Sequence, residues 1–205
     1  LCKKFFMQKY LFPSLSVFLL GAFNLFSQTN GVTSYSYTAG GSAGKRSSFV
    51  IDNNGNKWVG FNLGGGTSCQ LVRYNGSSWW KVPTSIMSSQ KVNALAVDAS
   101  NKIWVGTNNG IYVFQDTNFV VQYTRVGNGL LSDTVISLNC GNGSTYAGTY
   151  RGLSVYNGSS FANYNRTLNG MSSDTVLAVK YENASAIWLG NAKGFEKYDG
   201  SSGFT

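Results

Sequence analysis

Asp98-Ala99-Ser100-Asn101-Lys102-Ile103-Trp104-Val105-Gly106-Thr107-Asn108-Asn109-Gly110-Ile111 decides the fold, because its centre, Trp104-Val105-Gly106, has three counterparts in the chain. Trp58-Val59-Gly60, Trp104-Val105-Gly106, Tyr146-Ala147-Gly148 and Trp188-Leu189-Gly190 form one series with aromatic spacings of 46, 42 and 42. A period near 42 residues is that of a propeller blade. Six residues after the last three aromatics stand Gly110, Gly152 and Gly194, and ten after them Phe114, Tyr156 and Tyr198. An insertion around Gly64 to Gln70 brings Tyr74 of the first unit into the same phase. Near-identical turns follow: Tyr74-Asn75-Gly76-Ser77-Ser78, Tyr156-Asn157-Gly158-Ser159-Ser160 and Tyr198-Asp199-Gly200-Ser201-Ser202.

Each unit reads as four short strands. In the second they are Val92 to Asp98, Lys102 to Thr107, Gly110 to Phe114 and Phe119 to Thr124, with alternating apolar positions and no 3.6-residue period. Asn-Gly and Asp-Gly before the last strand predict two-residue hairpins. One four-stranded sheet cannot bury both faces, so blades must stack, with the strand-two aromatics filling the space between them. The fold class is therefore all-β, a β-propeller of four-stranded antiparallel blades. About four blades are present, at 44–86, 87–129, 130–170 and 171–205, and the last stops inside its own fourth strand. That ending predicts a C-terminally truncated part of a six- to eight-bladed ring. Ser34 to Thr38, within an N-terminal segment at 28–43, reads as a ring-closing outer strand.

The first 27 residues read as an export signal. Lys3, Lys4 and Lys9 precede an apolar stretch from Leu11 to Phe26, and a polar exit begins at Ser27-Gln28-Thr29-Asn30. Met7 is the natural start of such a signal. The alternative is a retained N-terminal anchor, the one route to a membrane that these residues offer. No Cys follows the apolar core, which argues against lipid attachment. The predicted location is extracytoplasmic: periplasmic, cell-surface or secreted.

Composition removes several chemistries. The chain of 205 residues has no His, so Ser-His-Asp and Cys-His pairs and His-ligated zinc are excluded within it. Losing the three signal lysines lowers the 16 Lys and Arg to 13 against 8 acids, a net charge of +5. These cations are scattered, so nucleic acid is not an expected partner. Cys69 and Cys140 are too few for a disulfide framework and read as separate thiols, with pairing left open.

The pattern of Asp, a Gly/Asn turn, Trp-apolar-Gly-Thr, a short loop and Gly-apolar, as it stands at Asp98 to Ile111, resembles the two-component regulator propeller repeat, and the resemblance runs from residue 44 to 205. It implies a seven-bladed propeller serving as the extracytoplasmic sensor of hybrid histidine kinases, often with carbohydrate ligands. Similar repeats occur in secreted surface proteins that end in a sorting domain, and Asp52-Asn53-Asn54-Gly55-Asn56-Lys57-Trp58 looks close to those. Unit three departs from the pattern, with Gly141 for the Asp, Tyr146 for the Trp and a turn one residue shorter. The streptogramin lyase propellers have a similar Trp-containing strand, but their chemistry uses a His.

A residue that recurs at one phase serves the blade, whereas one that varies at an exposed phase is free for function. Seven of the eight acids are in phase, only Glu196 standing alone, so no catalytic residue is expected. Asp52-Asn53-Asn54-Gly55-Asn56 reads as a turn and not a calcium loop, and neither metal nor cofactor is expected. Candidate ligand-binding residues come from the variable strand two to three loops and the inter-blade connections, which share one face of a propeller: Asn62, Asn108, Asn109, Asp133, Tyr150, Arg151, Asp174 and Lys193. These amides, an aromatic, two cations and two acids suit a small polar ligand or glycan, or another extracytoplasmic protein. The reading is a non-enzymatic sensor module; the alternative is a secreted or surface scaffold or adhesive propeller.

Overall fold

The computed structural model describes residues 23–29, 32–37, 45–62, 69–87, 90–200 and 203–205. The chain divides into Leu1–Gly41 and Ser42–Thr205. In the first unit, β1 (Phe23–Thr29) pairs antiparallel with β2 (Val32–Tyr37), Phe23 opposite Tyr37. β2 overlaps the segment Ser34 to Thr38, of which Thr38 lies outside the described residues, and forms a two-stranded sheet with β1, which begins inside the stretch read as an export signal. Residues 1–22 of that stretch lie outside the described residues.

The second unit is four consecutive antiparallel sheets. Blade one holds β3 (Lys45–Ile51), β4 (Lys57–Asn62), β5 (Cys69–Tyr74) and β6 (Trp79–Lys81). Blade two holds β7 (Val92–Val97), β8 (Lys102–Thr107), β9 (Gly110–Gln115) and β10 (Asn118–Tyr123). Blade three holds β11 (Val135–Gly141), β12 (Ser144–Thr149), β13 (Gly152–Tyr156) and β14 (Phe161–Tyr164). Blade four holds β15 (Val176–Asn183), β16 (Ala186–Asn191) and β17 (Gly194–Tyr198), with Phe204 bridging to Tyr198 where a fourth strand is expected. Within each sheet the strands neighbour one another in chain order, so every connection is a local hairpin. The strands read from blade two's sequence agree with this to within a residue.

The hairpins correct one expectation. Among the described residues only blade two has a two-residue turn between its third and fourth strands, Asp116-Thr117, with Gln115 opposite Asn118 and Asp116 at φ 52°. Tyr74 pairs with Trp79, and Tyr156 with Phe161, leaving four residues between. The Asn side chain makes those turns: Asn75 Oδ1 accepts the amides of Ser77 and Ser78 at 2.9 and 2.8 Å, and Asn157 Oδ1 those of Ser159 and Ser160 at 3.0 Å. An Asx cap supplies acceptors that a two-residue turn has no room for.

Blades meet along aromatic seams. Trp104 stacks on Tyr123 of its own blade, with ring centroids 5.8 Å apart, and lies 5.5 Å from Tyr156 of blade three. Tyr123 donates to the Tyr156 hydroxyl at 2.9 Å, and one blade later Tyr198 donates to Tyr164 at 2.7 Å. In the first seam Trp80 lies between Trp58 and Phe114 at 5.8 and 6.2 Å. Three apolar clusters follow, one per seam, so the core is divided among the seams as stacked blades require. The outer faces of the stack carry the same chemistry uncovered: Phe49 and Ile51 are 58% and 53% exposed on blade one, and Trp188 and Phe195 are 37% and 78% exposed on blade four.

Candidate functional site

Two inter-blade connections build the face on which the candidate residues were placed. Each holds a helical turn too short to leave a periodic signal: α1 (Arg125–Asn128) and α2 (Arg166–Asn169). The signal lies in the caps. Thr124 Oγ1 accepts the Gly127 amide at 3.1 Å, Asn165 Oδ1 accepts the Leu168 amide at 2.8 Å, and Gly129 and Gly170 end the turns at φ 77° and 74°. Thr124-Arg125 to Asn128-Gly129 and Asn165-Arg166 to Asn169-Gly170 are therefore one repeated motif. The repeat is legible in the sequence; its helical form is not.

Asp133 and Asp174 complete that motif. Asp133 Oδ1 accepts the Arg125 amide at 2.6 Å, and Asp174 Oδ1 accepts the Arg166 amide at 2.7 Å, a carboxylate at the positive end of each turn. The Asp133 carbonyl also accepts the Gly110 amide at 2.6 Å. Both acids were expected to face ligand; each already has one oxygen occupied in holding its own connection.

The amides behave likewise. Asn62 grips the next blade, accepting the Val92 amide at 3.0 Å and donating to the Val92 carbonyl at 3.1 Å. Asn108 Oδ1 accepts the Lys91 amide at 2.6 Å. Asn109 donates to the Tyr112 hydroxyl at 3.4 Å, and its carbonyl accepts from Gln122 at 2.8 Å. The Asn62 and Asn108 side chains extend the sheet hydrogen bonding between loops, a role that loop sequence does not reveal because their partners are 30 and 17 residues away; Asn109 bonds within its own blade.

Tyr150, Arg151 and Asp174 do converge, together with Leu131 and Asn165, around a shallow cavity of about 230 Å³. Tyr150 is 58% exposed. Arg151 is exposed, and its amide is held by Thr149 Oγ1 at 3.0 Å, fixing the loop beneath a free guanidinium. Lys193 sits at the matching phase of blade four, exposed, its amide held by Asn191 Oδ1 at 2.8 Å. Leu131 and Asn165 were not expected; they come from the connections flanking the loop.

The acids that recur in phase serve the blades. Asp52, Asp98 and Glu182 each accept the indole N–H six residues later, at 2.9, 2.9 and 2.7 Å. Burial pushes the Asp52 carboxyl up, but hydrogen bonds from Trp58, Asn56 and Asn54 outweigh it and hold the group below its ordinary value. Glu196, the acid without a counterpart, is buried and accepts the Ser172 amide at 3.0 Å and Asn191 Nδ2 at 2.8 Å. Ser154 takes the Leu131 amide at the same phase of blade three, at 3.0 Å, so both anchor a connection. Cys140 is a free thiol, pushed up to about 11 chiefly by burial; the side chain of Cys69 lies outside the described residues. Among the described residues no cluster of three His, Cys, Asp or Glu could hold a metal ion. No helix among them is long and apolar enough to cross a membrane.

With the blades and their loop face defined, residues 86–109 match the family model described as two component regulator propeller. These residues carry one two component regulator propeller repeat. The match spans the end of blade one's connection and the first two strands of blade two, including Asp98, Trp104 and Asn108. No curated protein matches the chain. Among solved structures it is similar to the extracellular domain of a hybrid two-component system of B. thetaiotaomicron, at TM-score 0.69 and 20% identity over 86% of this chain and 24% of that one. It is similar to PorZ, a surface component of the type-IX secretion system of Porphyromonas gingivalis, at TM-score 0.58 and 16% identity over 78% of this chain and 26% of that one. It is also similar to virginiamycin B lyase of Staphylococcus aureus, at TM-score 0.65 and 12% identity over 86% of this chain and 59% of that one. At these identities the likeness is one of fold, and the chain spans about a quarter of the two-component domain.

Proposed function

We propose that this chain is a non-enzymatic ligand-binding segment of an extracytoplasmic sensor propeller, taking a small polar ligand such as a glycan on its loop face. The observation that carries the reading is the cavity shared by Tyr150, Arg151 and Asp174. It combines a ring face, a guanidinium and the one Asp174 oxygen not bonded to α2, on loops preset by their own hydrogen bonds, the arrangement that limits ordering cost on binding. The repeat match and the fold of the two-component extracellular domain support the sensor reading. The lyase likeness supports the fold alone: the lyase structure is of a variant made catalytically inactive by replacing a histidine with alanine, and this chain has no His.

The test is a titration of the chain with a panel of mono- and oligosaccharides. Arg151→Ala and Lys193→Ala should weaken binding while leaving the melting temperature unchanged. Equal affinity of both variants and the wild type overturns the loop-face site.

The likeness to PorZ favours a second reading, a surface scaffold that contacts macromolecules. A membrane helix and kinase in the same reading frame would select the sensor, and a terminal sorting domain the scaffold.

A further inference from the structure

A cleft of about 390 Å³ lies not on the loop face but on the opposite one, in the seam between blades two and three. That volume is of the size that holds small molecules. Its floor is formed by Val113, Val121, Trp104, Tyr123 and Tyr156.

Comparison of the three seams shows why it is open. The residue opposite the one before each strand-two aromatic points into the preceding seam. It is Val97 opposite Ile103, Cys140 opposite Thr145 and Tyr181 opposite Ile187. In the seam between blades three and four, the Tyr181 ring stacks on Tyr146, with centroids 5.9 Å apart, and covers Gly141. In the first seam the space over Trp58 is taken by Trp80 and by the Arg73 guanidinium, 5.9 Å from the ring and paired with Asp116. Cys140 is small, and the two-residue turn Asn142-Gly143, with φ 50° and 73°, adds no bulk, so the second seam keeps its cleft.

Two charges line it, Asp98 and Lys102. Asp98 accepts three N–H groups, from Ser100 and Lys102 at Oδ1 and from Trp104 at Oδ2, leaving one lone pair on Oδ2. The one ion pair among the described residues is Arg73 with Asp116, so the Lys102 ammonium has no carboxylate. At the phase of Lys102 the other units carry Asn56, Ser144 and Ala186, so no recurring blade contact needs it. An anion and a cation beside an apolar, aromatic floor are complementary to a zwitterion bearing an apolar side chain.

We propose that this seam cleft binds a free α-amino acid with an apolar side chain, its carboxylate on Lys102, its ammonium on Asp98 and its side chain against Tyr123, Tyr156 and Val113. The site is distinct from the loop-face cavity.

The experiment titrates the full chain with L-phenylalanine, L-phenylalaninamide and N-acetyl-L-phenylalanine by calorimetry. Phenylalanine should bind, and each derivative, lacking one charge, should bind about tenfold or more weakly, the scale of one charge-assisted hydrogen bond. Lys102→Met should remove the preference for phenylalanine over the amide. Cys140→Tyr, which installs the residue the next blade carries, should abolish binding, and Arg151→Ala should leave it unchanged. Absence of phenylalanine binding, equal binding of all three compounds, or full binding by folded Cys140→Tyr overturns the proposal. Should Cys140→Tyr not fold, the derivative series on the wild type and Lys102→Met decides.

Discussion

The indole Nε1 of Trp104 donates to Oδ2 of Asp98 at 2.9 Å, and the same acid's Oδ1 holds the Ser100 and Lys102 amides of the turn between them. One carboxylate thus closes the strand one to two turn and fixes the rotamer of the largest seam side chain. Blade three shows the logic by exception. Its turn is only Asn142-Gly143, which needs no cap, and Tyr146 has no indole N–H to satisfy, so the acid, the long turn and the Trp are absent together.

Trp104 is 4% exposed and packed by two tyrosines, whereas Trp188 at the same phase is 37% exposed. Trp104→Ala should therefore cost about 3–5 kcal/mol of folding free energy, and Trp188→Ala should cost clearly less. Denaturant titration of both variants checks this; equal losses would show that the seams are not the core.

Asp52 gives the fold a defined acid sensitivity. Its native carboxyl lies below the ordinary 3.8 because hydrogen bonds to the ionised form outweigh burial. A depressed native value means that the group's stabilisation is complete above pH 3.8 and is lost as the pH falls through the native value. Asp52→Asn should flatten the acid limb of a melting temperature against pH curve while changing the neutral plateau less. An acid limb identical to the wild type would show that other carboxylates set it.

Gly110 and Gly129 share a positive φ, 87° and 77°, but differ in surroundings. A Cβ at Gly110 would strike the Tyr123 carbonyl oxygen, a backbone atom, whereas one at Gly129 meets nothing. Gly129→Ala should cost about 1–2 kcal/mol from backbone strain alone, and Gly110→Ala about 3 kcal/mol or more, since strand β10 must also shift. Thermal melts of the pair separate the two contributions.

The sequence alone determined the blade and its order. Aromatic spacing, alternation and turn residues are local and recur, so four units, their strands and the structural duty of Asp52, Asp98 and Glu182 follow from comparing the chain with itself. The candidate site was legible only in part. Tyr150 and Arg151 stand out as loop residues that vary between units, and they do share a cavity with Asp174. Tertiary structure alone decided that Asn62 and Asn108 clamp neighbouring segments and that Asp133 and Asp174 cap α1 and α2, because an unpaired loop amide or helix-end N–H finds its partner only when the chain is folded. It alone also opened the seam between blades two and three. Whether a small residue leaves a cleft or a packed contact depends on what the adjacent blade presents to it: at one phase Tyr181 fills its seam, and Cys140 leaves space.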